Sequence, residues 1–109
     1  TVSSAASDVY KRQIFDFLCL ISQETSSEAI VCGGSSMQIL DTTDILSKIK
    51  VPCLILTGSE DIVVSREKSL FLYDKIKNAL HIEIKGVGHA PYCENALEFN
   101  EKISSFLST

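Results

Sequence analysis

Hydrophobic positions change period several times along this chain, and the changes mark out its elements. Cys53-Leu54-Ile55-Leu56-Thr57 is an almost unbroken apolar run, the pattern of a parallel strand covered on both faces. Pro52 ahead of it forbids a helix from continuing into the run, and Gly58 punctuates its end. Ser69, Leu72, Tyr73 and Ile76 then fall at i, i+3, i+4 and i+7. This spacing predicts an amphipathic helix capped at Ser65 and stopped by Asn78. Leu80-His81-Ile82-Glu83-Ile84 predicts a second strand. A strand, a crossover helix and a strand within about 35 residues form a βαβ unit, so the strands should be parallel neighbours with a right-handed crossover. Asn95, with Glu98 three positions on, starts a last helix whose apolar face is Ala96, Phe99, Ile103, Phe106 and Leu107. That face needs a sheet to lie on.

Ahead of Asp41 the pattern is helical. Ile14, Phe17, Leu18 and Ile21 predict a short helix that ends in the polar stretch 22–26. A second helix follows, capped by Ser26 or Ser27, with Glu28 in its first turn and Ala29, Ile30, Met37 and Leu40 as apolar positions. Two glycines inside a helix cost about 1 kcal/mol each relative to alanine, which predicts a break or kink at Gly33-Gly34. Thr43 precedes a short capped helix over 44–49.

Composition narrows the class. The net charge of −4 at pH 7 disfavours nucleic acid as a partner, because phosphate binding needs clustered Lys and Arg. Hydrophobic residues make up 45% of the chain, enough for a core, yet no apolar run approaches the roughly 20 residues of a membrane span. A soluble, cytoplasmic protein with no membrane partner is expected. Cys19, Cys32, Cys53 and Cys93 form no C-x-x-C pair, which argues against a disulfide or zinc framework. Cys53 reads as a small core residue, and Cys93, four positions after His89, lacks companion ligands; no metal and no cofactor is expected.

The candidate chemistry lies in Gly58-Ser59-Glu60-Asp61 and Gly86-Val87-Gly88-His89-Ala90-Pro91, each directly after a predicted strand. In a parallel sheet the C-terminal strand ends open on one edge, so Asp61 and His89 can converge although far apart in sequence. A carboxylate bonded to an imidazole fixes its tautomer and stabilises the imidazolium formed when the ring takes a proton. Asp61 would be the orienting acid and His89 the general base. Gly86 and Gly88 would let the loop turn tightly. An Asp after Gly-x-x often merely caps the next turn, and the downstream histidine is what favours the acid–base role. His81 reads instead as a half-exposed strand residue, and Ser35 and Ser59 as turn or loop serines.

From Asp41 to Leu107 the order of elements resembles the C-terminal part of the α/β-hydrolase fold: short helix, I-x-x-P before a strand, G-x-x-D after it, helix, strand, G-x-G-H and a closing helix ending in Phe-Leu. Ala96 departs from the pattern, since many members carry proline there. In that family the triad runs along the chain as nucleophile, then Asp or Glu, then His. The resemblance implies a fragment whose parent activates a serine through His89 and Asp61 and hydrolyses a carboxylic ester, lactone or related small-molecule substrate. Ile62, Val63 and Ala90, beside the two positions, would line the substrate pocket. No Gly-x-Ser-x-Gly elbow occurs; the nearest string, Gly33-Gly34-Ser35-Ser36-Met37, lacks the final glycine. The chain alone is therefore expected to be inactive. Two alternatives stay open: an aspartate nucleophile, as in dehalogenases and epoxide hydrolases, or a non-catalytic binding or receptor protein on the same fold.

Residues 3–13 carry a separate resemblance, to the in-frame translation of a sequencing adapter, which would make 1–13 foreign to the protein. On this reading 14–40 end a helical lid and 41–109 form the C-terminal part of the hydrolase core.

Overall fold

The computed structural model describes residues 4–109, with side chains from residue 8 onward. The chain divides into two units, 1–41 and 42–109. In the first, α1 (Ser4–Ser22) and α2 (Ser27–Ile39) are joined by a short turn. Helix α1 begins ten residues before the predicted start at Ile14 and runs unbroken through the adapter-like segment, of which residues 1–3 lie outside the described residues. The Ser26 hydroxyl accepts the Ala29 N–H at 3.1 Å and caps α2.

The predicted break at Gly33-Gly34 does not occur, because α2 continues through both glycines to Ile39. Helix propensity is a weak prior, and the cost of about 1 kcal/mol per glycine does not end the helix here. Ser35, expected in a loop, consequently lies within this helix.

The second unit holds α3 (Thr43–Leu46), β1 (Cys53–Gly58), α4 (Arg66–Lys75), β2 (Ala79–Ile84), α5 (Pro91–Glu94) and α6 (Ala96–Leu107). Strands β1 and β2 pair in parallel, from Cys53 opposite Ala79 to Gly58 opposite Ile84. Each strand is one residue longer than its apolar run, through Gly58 and Ala79. Asn78 fixes the start of this register: its carbonyl accepts the Cys53 N–H at 2.9 Å and its side chain donates to the Lys50 carbonyl at 3.0 Å. Helix α4 itself ends at Lys75 with Ile76 at its C-cap, short of the predicted stop at Asn78, which aligns the strands instead.

Local chemistry departs from expectation at three helix ends. Helix α3 stops at Leu46, and Thr42, not Thr43, takes its cap position without a side-chain cap bond. Ser65 occupies the α4 cap position in extended backbone but likewise makes no side-chain cap bond. Of the predicted α4 stripe, Ser69 and Ile76 are buried while Leu72 and Tyr73 remain exposed, since a ten-residue helix over two strands covers little of its circumference. Helix α6 begins as predicted, with the Asn95 side chain accepting the Glu98 N–H at 3.2 Å and donating to the Glu98 carboxylate at 3.0 Å.

The best-buried residues gather at the C-terminal end of the sheet. Ile84, the last residue of β2, has no exposed surface, and Val87, Gly58 and Pro91 are buried around it. At Gly58 a side chain is excluded, because a Cβ there would fall on the Val87 and Gly88 carbonyl oxygens. The two post-strand loops therefore meet backbone to backbone at Gly58, the register partner of the fully buried Ile84.

Candidate active site

The loops after β1 and β2 are tied together by main-chain bonds before any catalytic side chain is considered. Ser59 N–H donates to the Ile84 carbonyl at 2.9 Å and Glu60 N–H to the Val87 carbonyl at 2.8 Å. Gly86 N–H donates to the Ser59 hydroxyl at 2.8 Å. Gly86 has φ +77°, a left-handed conformation that glycine adopts without steric cost. It turns the chain directly after β2 so that Val87 is buried and His89 comes back over the strand ends.

Asp61 and His89 meet across this junction. His89 Nδ1 lies 3.0 Å from Asp61 Oδ2. The other carboxylate oxygen, Oδ1, accepts the N–H groups of Val63 at 2.8 Å and Val64 at 3.0 Å. The Asp61 side chain is 11% exposed, whereas that of His89 is 56% exposed. Donation from Val64 N–H, then from His89, holds the Asp61 carboxyl below its ordinary value of 3.8, and partial burial opposes this without prevailing. An ionised carboxylate has only acceptors to offer, so Nδ1 carries the proton of the shared bond. Nε2 is then the basic nitrogen, on a ring more than half open to solvent. The Asx turn that a bare Asp after Gly-x-x would make is also present, through Val63 and Val64, so Asp61 caps its own turn with one oxygen and orients the imidazole with the other.

The three predicted pocket residues fall in the same loops with differing exposure. Ile62 is 98% exposed at the turn beyond Asp61, and Val63 is also exposed. Ala90, half-buried, follows His89. His81 lies apart from this group: it is half-buried on β2 and its Nε2 is 2.9 Å from the Thr57 hydroxyl across the strand pair. Cys19, Cys32, Cys53 and Cys93 form no disulfide. Among the described residues no three His, Cys, Asp or Glu side chains cluster as a metal site would require.

Two participants escape sequence reasoning. Ser59, read as a plain turn serine, is the hydroxyl that joins the Asp61 loop to the His89 loop. Glu94 accepts Gly88 N–H with both carboxylate oxygens at 3.0 Å and Ala90 N–H with one at 3.1 Å. No spacing rule links a serine to a glycine 27 residues on, whereas the four-residue step from Ala90 to Glu94 would have suggested a helix-start contact had α5 been anticipated.

With this geometry in hand, comparison with known proteins is informative. No family model matches the chain. A putative carbamate hydrolase, RutD of Pseudomonas syringae pv. syringae (strain B728a), is 28% identical over 74 residues, 68% of this chain and 29% of the relative. Among solved structures, the serine hydrolase CarC, involved in carbazole degradation, superimposes with a TM-score of 0.61 at 28% identity over 64% of this chain and 27% of its own. Est816, described as an N-acyl homoserine lactone degrading enzyme, gives a TM-score of 0.58 at 36% identity over 61% and 26%. The chain thus spans less than a third of the length of each of these relatives.

Proposed function

Since the chain has the fold of the C-terminal part of an α/β-hydrolase, we propose that it supplies the acid and base of a serine-type hydrolase acting on a carboxylic ester, lactone or related small molecule. The observation that carries this reading is the His89 Nδ1 to Asp61 Oδ2 bond of 3.0 Å at the C-terminal edge of two adjacent parallel strands. Asp61 holds the ring with Nδ1 protonated and Nε2 free to act. His89 Nε2 takes the hydroxyl proton of a serine supplied by sequence outside this chain as its oxygen attacks the substrate carbonyl carbon. The imidazolium, stabilised by Asp61, returns that proton to the departing alkoxide. A water deprotonated by the same nitrogen then attacks the acyl-enzyme, and the acid product leaves with the serine restored. Ile62, Val63 and Ala90 would present apolar surface to the acyl or alcohol part of the substrate. The acidic balance and four cysteines that form no disulfide fit a cytoplasmic enzyme.

The test is a chimera in which residues 42–109 replace the matching segment of the lactone-degrading relative. We expect turnover of an N-acyl lactone, lowered about 10³-fold or more by His89→Ala, the scale seen when a triad member is removed. A folded, substrate-binding chimera whose rate is indifferent to His89→Ala would overturn the assignment.

A further inference from the structure

We infer that Glu94 is a positioning residue for His89, a role that rests on the acid–base reading of that histidine. Its carboxylate holds the backbone on both sides of the base: Gly88 N–H before it and Ala90 N–H after it. An ordinary helix-start cap explains only half of this. Ala90 stands at the cap position of α5, its N–H donating to Glu94 while its carbonyl accepts the Glu94 N–H at 2.9 Å, a reciprocal arrangement internal to the helix start. Gly88 lies outside that arrangement, two residues upstream. Its capture means that one carboxylate spans His89, holding the His89–Ala90 peptide directly after it and the Val87–Gly88 peptide one unit before it, and so limits how the short stretch that carries the His89 Cβ can turn.

Gly88 is shaped for this contact. A Cβ at Gly88 would come to 3.2 Å from one carboxylate oxygen, tighter than ordinary van der Waals contact, and to 3.4 Å from the other, so a methyl group there would push the carboxylate by a few tenths of an ångström. The anchor is also charge-assisted, and such bonds are about twice as strong as neutral ones. Asp61 therefore orients the ring from its Nδ1 side while Glu94 holds the chain from which the ring hangs. Residues 86 and 87 are already held by Ser59 and Glu60, so Glu94 is what holds the stretch 88–90 that carries the imidazole, where a displacement of about 1 Å at a reacting group can cost on the order of 10²-fold in rate.

The molecule carries its own control, because it has two histidines and only His89 lies in this loop. The experiment follows both imidazoles and the Gly88 and Ala90 amides by NMR in the chain itself, comparing wild type with Glu94→Ala, Glu94→Gln and Gly88→Ala. Expected in Glu94→Ala are faster exchange of both amides, by about tenfold or more, and loss of the low-field His89 Nδ1 proton shared with Asp61, with His81 unchanged. Glu94→Gln keeps a carbonyl acceptor and should restore much of the His89 signal. Gly88→Ala, which pushes the carboxylate without removing it, should shift His89 in the same direction to a smaller extent and serves if Glu94→Ala fails to fold. In the chimera, Glu94→Ala should lower kcat about tenfold or more with KM unchanged. The inference is overturned if His89 keeps its wild-type proton and titration in Glu94→Ala while the Gly88 and Ala90 amides are released. Because the NMR readouts need no turnover, a folded, substrate-binding chimera indifferent to His89→Ala together with Glu94-dependent His89 signals would refute the hydrolase reading and leave the hold of Glu94 on His89 standing.

Discussion

Residues 8–41 and residues 42–109 use hydrogen bonds over different sequence distances. In the first, side-chain bonds run from Arg12 to Asp16, Ser22 to Leu18, Ala29 to Ser26 and Ser36 to Cys32, each three or four positions along one helix. No side chain there is buried, and Phe15, Phe17, Leu20, Ile30, Val31 and Met37 are exposed. In the second, the bonds that matter join residues 24 to 28 positions apart: Thr57 to His81, Ser59 to Gly86, Asn78 to Lys50 and Asp61 to His89. A helix can be specified by its own neighbours, whereas an acid–base pair from two strands exists only if the sheet beneath it keeps its register. The site is thus as durable as that sheet.

The comparison breaks most easily at Ile84. With no exposed surface beneath the two loops, its replacement by alanine should cost about 2–5 kcal/mol, read as a lowered denaturant midpoint with loss of the His89 signal. Met37→Ala, on a side chain 76% exposed, should change the midpoint by less than about 0.5 kcal/mol. Equal effects at the two positions would show that the regions are not stabilised differently.

The next effect is a pH dependence. Asp61 has its folded-state carboxyl below the ordinary 3.8, led by the Val64 N–H. A depressed carboxylate contributes stability that is fully present above the unfolded value and is lost as pH falls through the folded one. The stability difference between wild type and Asp61→Asn should accordingly be constant at neutral pH and shrink only in acid, below about 4. A difference for Asp61 that instead shrank between pH 6 and 8 would mean that the histidine, not the carboxylate, dominates the linkage.

Legibility followed the same division in an unexpected sense. The βαβ unit was readable because Cys53–Gly58 is an almost unbroken apolar run between Pro52 and the turn at Gly58, and Ala79–Ile84 alternates apolar residues with His81 and Glu83 before the Gly86 turn, signals that do not depend on tertiary context. Asp61 and His89 could be named because parallel strands must deliver their loops to one edge. In 4–41 the first helix was started at Ile14 because the adapter-like residues before it were set aside, and the break expected at Gly33-Gly34 is absent because glycine propensity is only a weak prior. Glu94 and Ser59 were missed for a physical reason: their partners are backbone N–H groups, which every residue carries, so no side-chain pattern marks them.

The smallest effect should come from the two arginine ion pairs, one in each region, and it sharpens the comparison because their lengths are nearly equal. Arg12 reaches Asp16 at 3.1 Å along α1, with side chains 76% and 61% exposed. Arg66, the first residue of α4, reaches Glu83 on β2 at 3.3 Å, with Glu83 only 30% exposed. Exposed i,i+4 pairs are worth about 0.3–0.5 kcal/mol, and exposed pairs in general about 0.2–1 kcal/mol. Coulomb attraction at such distances is screened by water and by salt, with a Debye length of about 10 Å at 0.1 M and about 3 Å at 1 M. Covering one partner lessens that screening, so the Arg66–Glu83 coupling in a double-mutant cycle should survive 1 M salt in part while the Arg12–Asp16 coupling disappears. The readouts differ as well. Loss of Arg66 should lower the midpoint of the βαβ unit, because its bond ties the crossover helix to the sheet, whereas loss of Arg12 should reduce helix content in α1 and leave that midpoint where it was. If both couplings vanish together in salt, partial cover of Glu83 confers no protection and the contrast between the regions rests on apolar burial alone.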